Sequence, residues 1–275
     1  ISVFRLSKFK PDLVITRNFF VSLILSIIKQ KHVMEVHDTM EIEGRFVRFL
    51  QKRINFLNFF SLFKIICTTK SLKNFYIKEY KVDKKKLKVL HNASPIIFKE
   101  KLKINRKKKL NIGFFGSIYK SRGLDLFLEL SKKDKDNNYF LYGGNREEVQ
   151  SLKLIHKNKN LKISSYVSQK KFVIALRKVD ICLLPYTKKI SVAGNVGDIS
   201  KYTSPLKIFD FMKMGKIIIS SELNVLKEVL NKKNSILIKD FMNPSKWLKE
   251  ITNIKKNKKK QLLIRKNAYY FSNKE

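Results

Sequence analysis

Short apolar runs alternate along this chain with longer segments whose apolar positions recur at helical spacing. In the first hundred residues the pattern predicts strands at 12–15, 33–36, 64–67 and 88–90, and helices at 18–29 and 43–60. A further helix is predicted after residue 70, with Ser71 as its cap. Because strands and helices follow one another regularly, we expect a parallel sheet covered by helices.

The alternation of predicted strands and helices is interrupted once, at residues 101–109. Residues 101–109 are dominated by Lys and Arg and contain no apolar cluster, so we place a linker there, after a first domain at 1–100. A second domain at 110–254 has the predicted strands 110–115, 139–142, 161–163, 181–184, 216–220 and 235–238. Helices are predicted between them at 124–131, 147–154, 169–179, 205–214 and 225–230, with a last one at 244–254. This order is typical of a doubly wound α/β unit, and 255–275 is predicted to be a basic helical tail.

Composition agrees with two folded domains and adds an unusual charge. The 275 residues are 44% hydrophobic, which argues against a disordered chain, and 60 Lys and Arg against 22 Asp and Glu give a net charge of +38. Only 10 of the 60 cations are Arg, the residue that planar phosphate and base recognition favours. Two interpretations therefore stay open: a compositional bias towards Lys, or an anionic partner such as a membrane leaflet, a phosphorylated substrate or a nucleic acid.

Several classes of protein are disfavoured by what the sequence lacks. Two distant cysteines, Cys67 and Cys182, cannot build a disulfide scaffold and are typical of a reducing compartment, so we expect a cytoplasmic protein. No P-loop, G-x-G-x-x-G or G-x-S-x-G pattern occurs, and the histidines lack partners at metal-ligand spacing. The apolar segment 19–28 is too short for a bilayer span. Because the chain starts with Ile1 in mid-pattern, we expect a piece upstream of it.

The most informative segment surrounds the predicted helix 205–214. Ser204 is a good N-cap, and Pro205 suits the first helical position, where its missing N–H costs nothing. Such a helix start offers backbone N–H groups to an anion. Lys207 and Asp210 are three positions apart and share a face, so a cation and a carboxylate lie near that helix start. The segment fits a ligand with phosphate at one end and a diol at the other, although an ordinary capped helix with a surface ion pair would look the same.

The same segment resembles a known signature. Residues 204–221, SPLKIFDFMKMGKIIISS, are similar to the donor-binding motif S-P-x-K-x-x-E-[YA]-M-A-x-G-K-P-[IV]-[IV]-[AS]-S of GT-B glycosyltransferases of the family 4 type. Further segments match that family in the expected order: 111–123, 142–144, 165–168 and 179–186. The resemblance covers nearly all of 110–240 and implies a GT-B fold of two Rossmann-like domains. In the first domain the match is weaker, and it implies that this domain is incomplete at its N-terminus.

The resemblance also implies a donor site that works without a metal or other cofactor. Lys207, Arg122 and Lys120 would neutralise the diphosphate of a UDP- or GDP-sugar, and Asp210 stands where the family has a Glu that holds the ribose hydroxyls. The implied donor-binding set is Gly116, Ser117, Lys120, Arg122, Gly143, Tyr166, Val167, Ser204, Pro205, Leu206, Lys207 and Asp210.

Three positions concern the sugar and the phosphates. His37 resembles the acceptor-domain histidine near the transferred sugar, and it is our candidate catalytic residue. Ser117 replaces an Arg that is frequent in the family, and Tyr202 occupies the position of a second Glu. Asp198 is therefore the candidate for the acid that faces the sugar.

From these residues we expect a retaining glycosyltransferase that moves a sugar from a nucleotide diphosphate-sugar to a cell-surface glycan or a lipid-linked precursor. Its basic surface, with 19–31 and the tail, would then lie on an anionic cytoplasmic leaflet. Two alternatives remain: a non-catalytic remnant that still binds nucleotide-sugar, and a basic nucleic-acid-binding protein. The second rests on charge alone, so no nucleic-acid partner is expected.

Overall fold

A computed structural model describes residues 11–39, 45–104, 107–191 and 198–274. The chain forms two compact units. Unit 1 extends to Asn92 and includes Lys201–Ser204, whereas unit 2 runs from Ala93 to Ser200 and from Pro205 onwards. Residues 93–104 therefore lie in unit 2, and Ile96 and Phe98 of this segment are buried in its core. The segment contains the end of the predicted first domain and the start of the predicted linker.

Unit 1 contains a four-stranded parallel sheet in the order β1-β2-β3-β4. Its strands are β1 (Val14–Thr16), β2 (His32–Val36), β3 (Leu62–Cys67) and β4 (Leu87–Val89). Its helices are α1 (Phe19–Ile27), α2 (Arg45–Ile54) and α3 (Lys70–Tyr80), with a 3₁₀ turn at Phe56–Asn58. Met34, Ile65, Leu72 and Tyr76 are fully buried between the sheet and its helices, so the parallel α/β arrangement predicted for this region is confirmed.

Two local expectations in unit 1 were wrong. The predicted helix 43–60 ends at Ile54, because Asn55 adopts a left-handed conformation (φ 52°) that a helix cannot continue through. The cap of α3 is Thr69 rather than Ser71, since the Thr69 side chain accepts a hydrogen bond from the Leu72 N–H at 3.0 Å.

Unit 2 contains a six-stranded parallel sheet in the order β10-β9-β8-β5-β6-β7. The strands are β5 (Asn111–Phe115), β6 (Asn138–Tyr142), β7 (Leu161–Ser164), β8 (Ile181–Leu184), β9 (Ile217–Ser221) and β10 (Ile236–Ile238). The helices are α4 (Leu124–Lys133), α5 (Arg146–Ile155), α6 (Gln169–Lys178), α7 (Leu206–Lys213), α8 (Pro244–Lys256) and α9 (Lys258–Lys274). The order reverses between β5 and β8, which is the switch point of a doubly wound sheet. The helix predicted at 225–230 is only a 3₁₀ turn, Leu226–Glu228.

Both faces of this sheet are covered. Successive residues of β8 belong to different clusters, with Ile181 and Leu183 in one and Cys182 and Leu184 in the other, as the alternation of a strand requires. Trp247 of α8 is fully buried in the first cluster and donates its indole N–H to the Phe241 carbonyl at 3.0 Å.

The basic tail packs as part of unit 2. Ala268 and Ile264 of α9 are buried, and the Gln261 side chain donates to the Ile254 carbonyl at 2.8 Å. Arg265 donates to the Gly215 carbonyl at 2.7 Å, directly after α7. The tail is therefore a structural helix whose buried face supports α7. In the part of the chain that the structure describes, no helix has the length and apolar character needed to cross a bilayer.

Candidate functional site

The candidate site lies at the carboxyl ends of β5 and β6, beside the first turn of α7. Gly116 follows β5 directly, has φ 146°, and donates its N–H to the Tyr142 carbonyl at 3.0 Å. A Cβ on Gly116 would lie 3.4 Å from Lys207 Nζ, so this turn of backbone sits close to a cation. The φ of 146° is what favours glycine at position 116, since a Cβ there would make only an ordinary contact with the flexible end of Lys207.

Gly143 must also be a glycine, because its backbone passes directly against the backbone of Gly116. A Cβ on Gly143 would lie 1.8 Å from the Gly116 carbonyl oxygen, which is an impossible distance to backbone. Gly143 therefore allows the loops after β5 and β6 to pass against each other, and it acts on the site through Gly116.

The start of α7 differs from the expectation in one respect. The N-cap is Pro205, which has no side-chain hydrogen bond to the helix, and the expectation that Ser204 caps it was wrong. Ser204 Oγ instead accepts from the Asn92 side chain at 2.9 Å, within unit 1. No side chain of the described residues is seen to cap the first turn of α7. The Ile208 N–H donates to the Pro205 carbonyl at 3.0 Å, so the N–H groups of Leu206 and Lys207 are the ones that this turn offers to an anion.

Two cations stand at this helix start. Burial, followed by the nearby charge of Arg122, lowers the pKa of Lys207, while Asp210 acts in the opposite direction. The Arg122 guanidinium lies 5.2 Å above the Tyr186 ring and donates to the Ser191 carbonyl at 3.4 Å. Two cations held close together repel each other, and an anionic ligand between them would relieve that repulsion.

Asp210 is the carboxylate of the site. Its Oδ1 accepts a hydrogen bond of 2.6 Å from Ser94 Oγ. Burial raises the pKa of Asp210, and the hydrogen bond from Ser94 and the charge of Lys207 act against that rise. The carboxylate is thus partly desolvated, which strengthens its hydrogen bonds to hydroxyl groups of a ligand.

Gly116, Lys207 and Asp210 line a cavity of about 280 Å³ within unit 2. Its lining is Phe115, Gly116, Tyr142, Tyr166, Val167, Gln169, Phe172, Leu206, Lys207 and Asp210. Six of these residues belong to the predicted donor-binding set: Gly116, Tyr166, Val167, Leu206, Lys207 and Asp210. Three other aromatic lining residues, Phe115, Tyr142 and Phe172, were not among the predicted residues. Phe115 and Tyr142 end two adjacent strands, and their rings stack with centroids 5.1 Å apart.

The other predicted residues do not line this cavity. Lys120 and Arg122 form the 3₁₀ turn Lys120–Arg122 that follows β5, and Ser117 lies between that turn and Gly116. Ser204 and Pro205 precede α7. Asp198 instead binds backbone: its Oδ1 accepts hydrogen bonds from the N–H groups of Ile190 at 3.1 Å and of Ser200 at 2.9 Å. Burial opposes ionisation of Asp198, but the hydrogen bonds from Ser200 prevail and lower its pKa.

His37 belongs to unit 1, where it follows β2. Its Nε2 lies 2.6 Å from Oε1 of Glu35, so a carboxylate orients the imidazole. The adjoining Asp38 is a half-buried carboxyl whose pKa is raised by burial, and its carbonyl accepts from the Tyr76 hydroxyl at 3.0 Å. Unit 1 thus also carries ionisable groups at the carboxyl end of a parallel strand, where such sheets bind ligands.

Metal-ligating side chains do not cluster among the described residues: no group of three or more His, Cys, Asp or Glu could hold an ion there. Both cysteines are free and buried, and burial raises the pKa of Cys67 to about 12, so its thiol is inert at neutral pH.

Comparison with known proteins indicates the family to which this chain is related. Residues 109–257 match the family described as glycosyl transferases group 1. An uncharacterized glycosyltransferase of Methanocaldococcus jannaschii is 24% identical over 296 residues, an alignment that covers 98% of this chain and 72% of that protein.

Solved structures share the fold. Anabaena HepE in complex with UDP has a TM-score of 0.67 at 14% identity, covering 96% of this chain and 74% of that one. Sucrose-phosphate synthase of Thermosynechococcus elongatus has a TM-score of 0.69 at 10% identity, covering 98% and 71%. The predicted GT-B fold class is thereby confirmed. The family match spans more than half of the sequence, and the chain therefore belongs to the glycosyl transferases group 1 family and is a glycosyltransferase.

Proposed function

We propose that unit 2 binds a nucleotide diphosphate-sugar and that the enzyme transfers the sugar, with retention of configuration, to a cell-surface glycan or a lipid-linked precursor. The observation that carries the proposal is the cavity in which Lys207 and Asp210 meet beside the glycine turn at Gly116. A cation and a carboxylate in one small cavity fit the diphosphate and the ribose of a nucleotide.

Each part of such a ligand has a counterpart in unit 2. Lys207, Arg122, Lys120 and the first turn of α7 offer positive charge to the diphosphate. Asp210 accepts hydrogen bonds from the ribose hydroxyls, and the aromatic lining residues, among them Tyr142 and Tyr166, offer ring surfaces to the base. HepE, which shares this fold, was solved with UDP and also with UDP-glucose, and both observations support a nucleotide-sugar as the donor.

The same cations suit the chemical step. When the bond between the sugar and the diphosphate breaks, negative charge grows on the leaving phosphate. Lys207 and Arg122 stabilise that charge, which is why we propose a donor site without a metal ion. His37 of unit 1 is the residue that we assign to the sugar being transferred.

Removal of the carboxylate tests the donor site. Asp210→Ala should weaken binding of UDP or GDP about 10- to 100-fold, because a charged hydrogen-bond partner of the ribose is worth about 1.5–3 kcal/mol. Isothermal titration calorimetry measures the affinity, and thermal unfolding checks that the variant remains folded. The matched control is Asp136→Ala, which removes an exposed carboxylate elsewhere in unit 2 and should bind as the wild type does.

Two results would contradict these assignments. Wild-type affinity in Asp210→Ala would remove Asp210 from the site. Nucleotide binding that disappears in EDTA and returns with Mn²⁺ would show that the donor site depends on a metal.

We also place the enzyme at an anionic membrane leaflet on the cytoplasmic side, where lipid-linked acceptors are found. The support comes from unit 1, where Phe60 is 99% exposed and Phe63 is 52% exposed, with Lys31 4.9 Å from the Phe63 ring. Exposed aromatic rings beside lysines suit a bilayer interface, where each cation contributes about 1 kcal/mol near anionic lipid.

Liposome sedimentation tests this placement. Anionic vesicles should bind the protein and neutral ones should not, with binding falling as salt rises. Phe60→Ser should weaken binding several-fold without lowering stability, because that side chain is already in water. Tail deletion is a poor test, since α9 packs in the core of unit 2. Equal binding to both kinds of vesicle, or none to either, would assign the +38 charge to composition.

A further inference from the structure

We propose that Ser94 is a positioning residue for Asp210: it holds one carboxylate oxygen so that the other is aimed at the ribose hydroxyls of the donor. The inference rests on the proposed function of unit 2 and adds a residue that no motif contains. Ser94 lies 116 positions before Asp210 in the sequence, and both residues belong to unit 2.

The direction of the hydrogen bond is fixed by a second contact. Ser94 Oγ accepts from the Ile96 N–H at 3.2 Å, and it lies 2.6 Å from Asp210 Oδ1. A hydroxyl has a single proton, and a carboxylate can only accept, so Ser94 donates that proton to Asp210. The distance is that of a charge-assisted O–H···O⁻ bond, which is roughly twice as strong as a neutral one.

Ser94 is itself held in place by the core. Pro95 fixes the backbone φ directly after it, and the side chains of Ile96 and Phe98 are buried among the hydrophobic residues of unit 2. The hydroxyl therefore sits on a segment whose position is set by packing, and it cannot follow Asp210 into another rotamer.

Asp210 is anchored from the other side by α7. Its neighbours Phe209 and Phe211 are both buried, so the backbone at Asp210 is fixed, while its side chain retains two torsions. The bond from Ser94 restricts both torsions. Among the described residues, Oδ2 of Asp210 has no hydrogen-bond partner, and Asp210 lines the cavity, so Oδ2 is the atom available to a ligand. A carboxylate that is already oriented loses less entropy when it binds a diol.

The contact also affects the charge of Asp210. Burial raises the pKa of this carboxyl, and the bond from Ser94 counteracts the rise. Loss of the hydroxyl should therefore raise the pKa of Asp210 further, in addition to freeing its side chain. If Ser94 only supported the backbone next to Pro95, its loss would neither raise the pKa of Asp210 nor free the Asp210 side chain.

The experiment compares UDP with 2′,3′-dideoxy-UDP, which lacks both ribose hydroxyls, by calorimetry. The wild type should prefer UDP by about tenfold or more. Ser94→Ala should reduce that preference about 3- to 10-fold by weakening UDP binding alone, and Ser94→Thr should restore it. Ser151→Ala is the matched control, because it removes an exposed serine hydroxyl of α5 and should change nothing.

A second readout needs no nucleotide. In Ser94→Ala, the carboxyl carbon of Asp210, followed by NMR, should titrate at higher pH than in the wild type. Wild-type preference together with wild-type titration would overturn the role of Ser94. A wild type without any preference for UDP, or for GDP tested in the same way, would instead refute the donor site at Asp210, and the positioning role with it.

Discussion

A large cavity in unit 1 is less informative about function than a smaller cavity in unit 2. In unit 1 a cavity of about 850 Å³ is lined by apolar residues and lysines around Phe59–Phe63, where β3 begins. In unit 2 a cavity of about 280 Å³ lies where β5 and β6 end, and it is lined by the half-buried cation Lys207 and the half-buried carboxylate Asp210. Parallel sheets bind ligands at the carboxyl ends of their strands. Strand direction and ionisable groups therefore indicate the candidate site, whereas cavity volume does not.

The comparison assumes that each unit has its own core, and Trp247→Ala tests this with the largest expected effect. Removal of a fully buried indole should cost about 3–5 kcal/mol of unfolding free energy. Amide hydrogen exchange should show loss of protection in β5, β6 and β8 of unit 2, with protection retained in β2 and β3 of unit 1. Phe63→Ala, at a half-exposed side chain of unit 1, is the control and should cost less than about 1 kcal/mol. Equal loss of protection in both units would show that they unfold as one.

His37→Ala separates the roles of the two units. It should lower the kcat of sugar transfer about 10- to 100-fold, the cost of one lost hydrogen bond to the sugar, and leave nucleotide affinity within twofold of the wild type. Turnover is followed by release of nucleoside diphosphate. Glu35→Gln should lower kcat less, because the proposed contact with the sugar is made by His37, and Glu35 acts on the imidazole from 2.6 Å. His156→Ala is the control in unit 2; a fall in nucleotide affinity for His37→Ala would contradict the division of labour.

The pH dependence of nucleotide affinity sharpens the description of unit 2, with a smaller effect. In the proposed donor site Lys207 must be protonated to bind a diphosphate, so affinity should be lost as pH rises through its pKa, which burial lowers from its usual value. Asp210 must be ionised, so affinity should also be lost as pH falls through its pKa, which burial raises from its usual value. Calorimetry across pH should therefore show nucleotide affinity falling at both ends of the pH range, as an acid limb and an alkaline limb.

Two variants isolate these limbs from the titration of the nucleotide itself. Lys207→Met should remove the alkaline limb and Asp210→Asn the acid limb contributed by the protein. An alkaline limb that persists in Lys207→Met would assign it to another group.

Unit 2 was the easier of the two to predict from sequence. The bounds of β8 match the predicted strand 181–184, and each of the remaining strands of this sheet differs by one residue, at one end or at both. Alternating apolar runs are local signals, and a fully buried sheet keeps them strong. Predictions failed where a single backbone conformation decided the outcome, as at Asn55, whose left-handed conformation ends α2 early.

The residues proposed for the donor site show the same division. The signature at 204–221 indicated Lys207 and Asp210, which lie on one turn of one helix. The sequence could not show that Ser94 reaches Asp210 across 116 positions, or that Ser204 bonds to Asn92 and leaves α7 uncapped.

The order of strands and helices, the α/β class and the residues of the signature at 204–221 can all be read from the sequence, since periodicity and helix-start chemistry act over a few neighbouring residues. Which of these residues share a cavity is visible only in the folded chain, where the basic tail is also a packed helix with Ile264 and Ala268 buried. Contacts between distant segments depend on how sheets and helices fill a common core, and many sequences with the same local pattern can fill it differently.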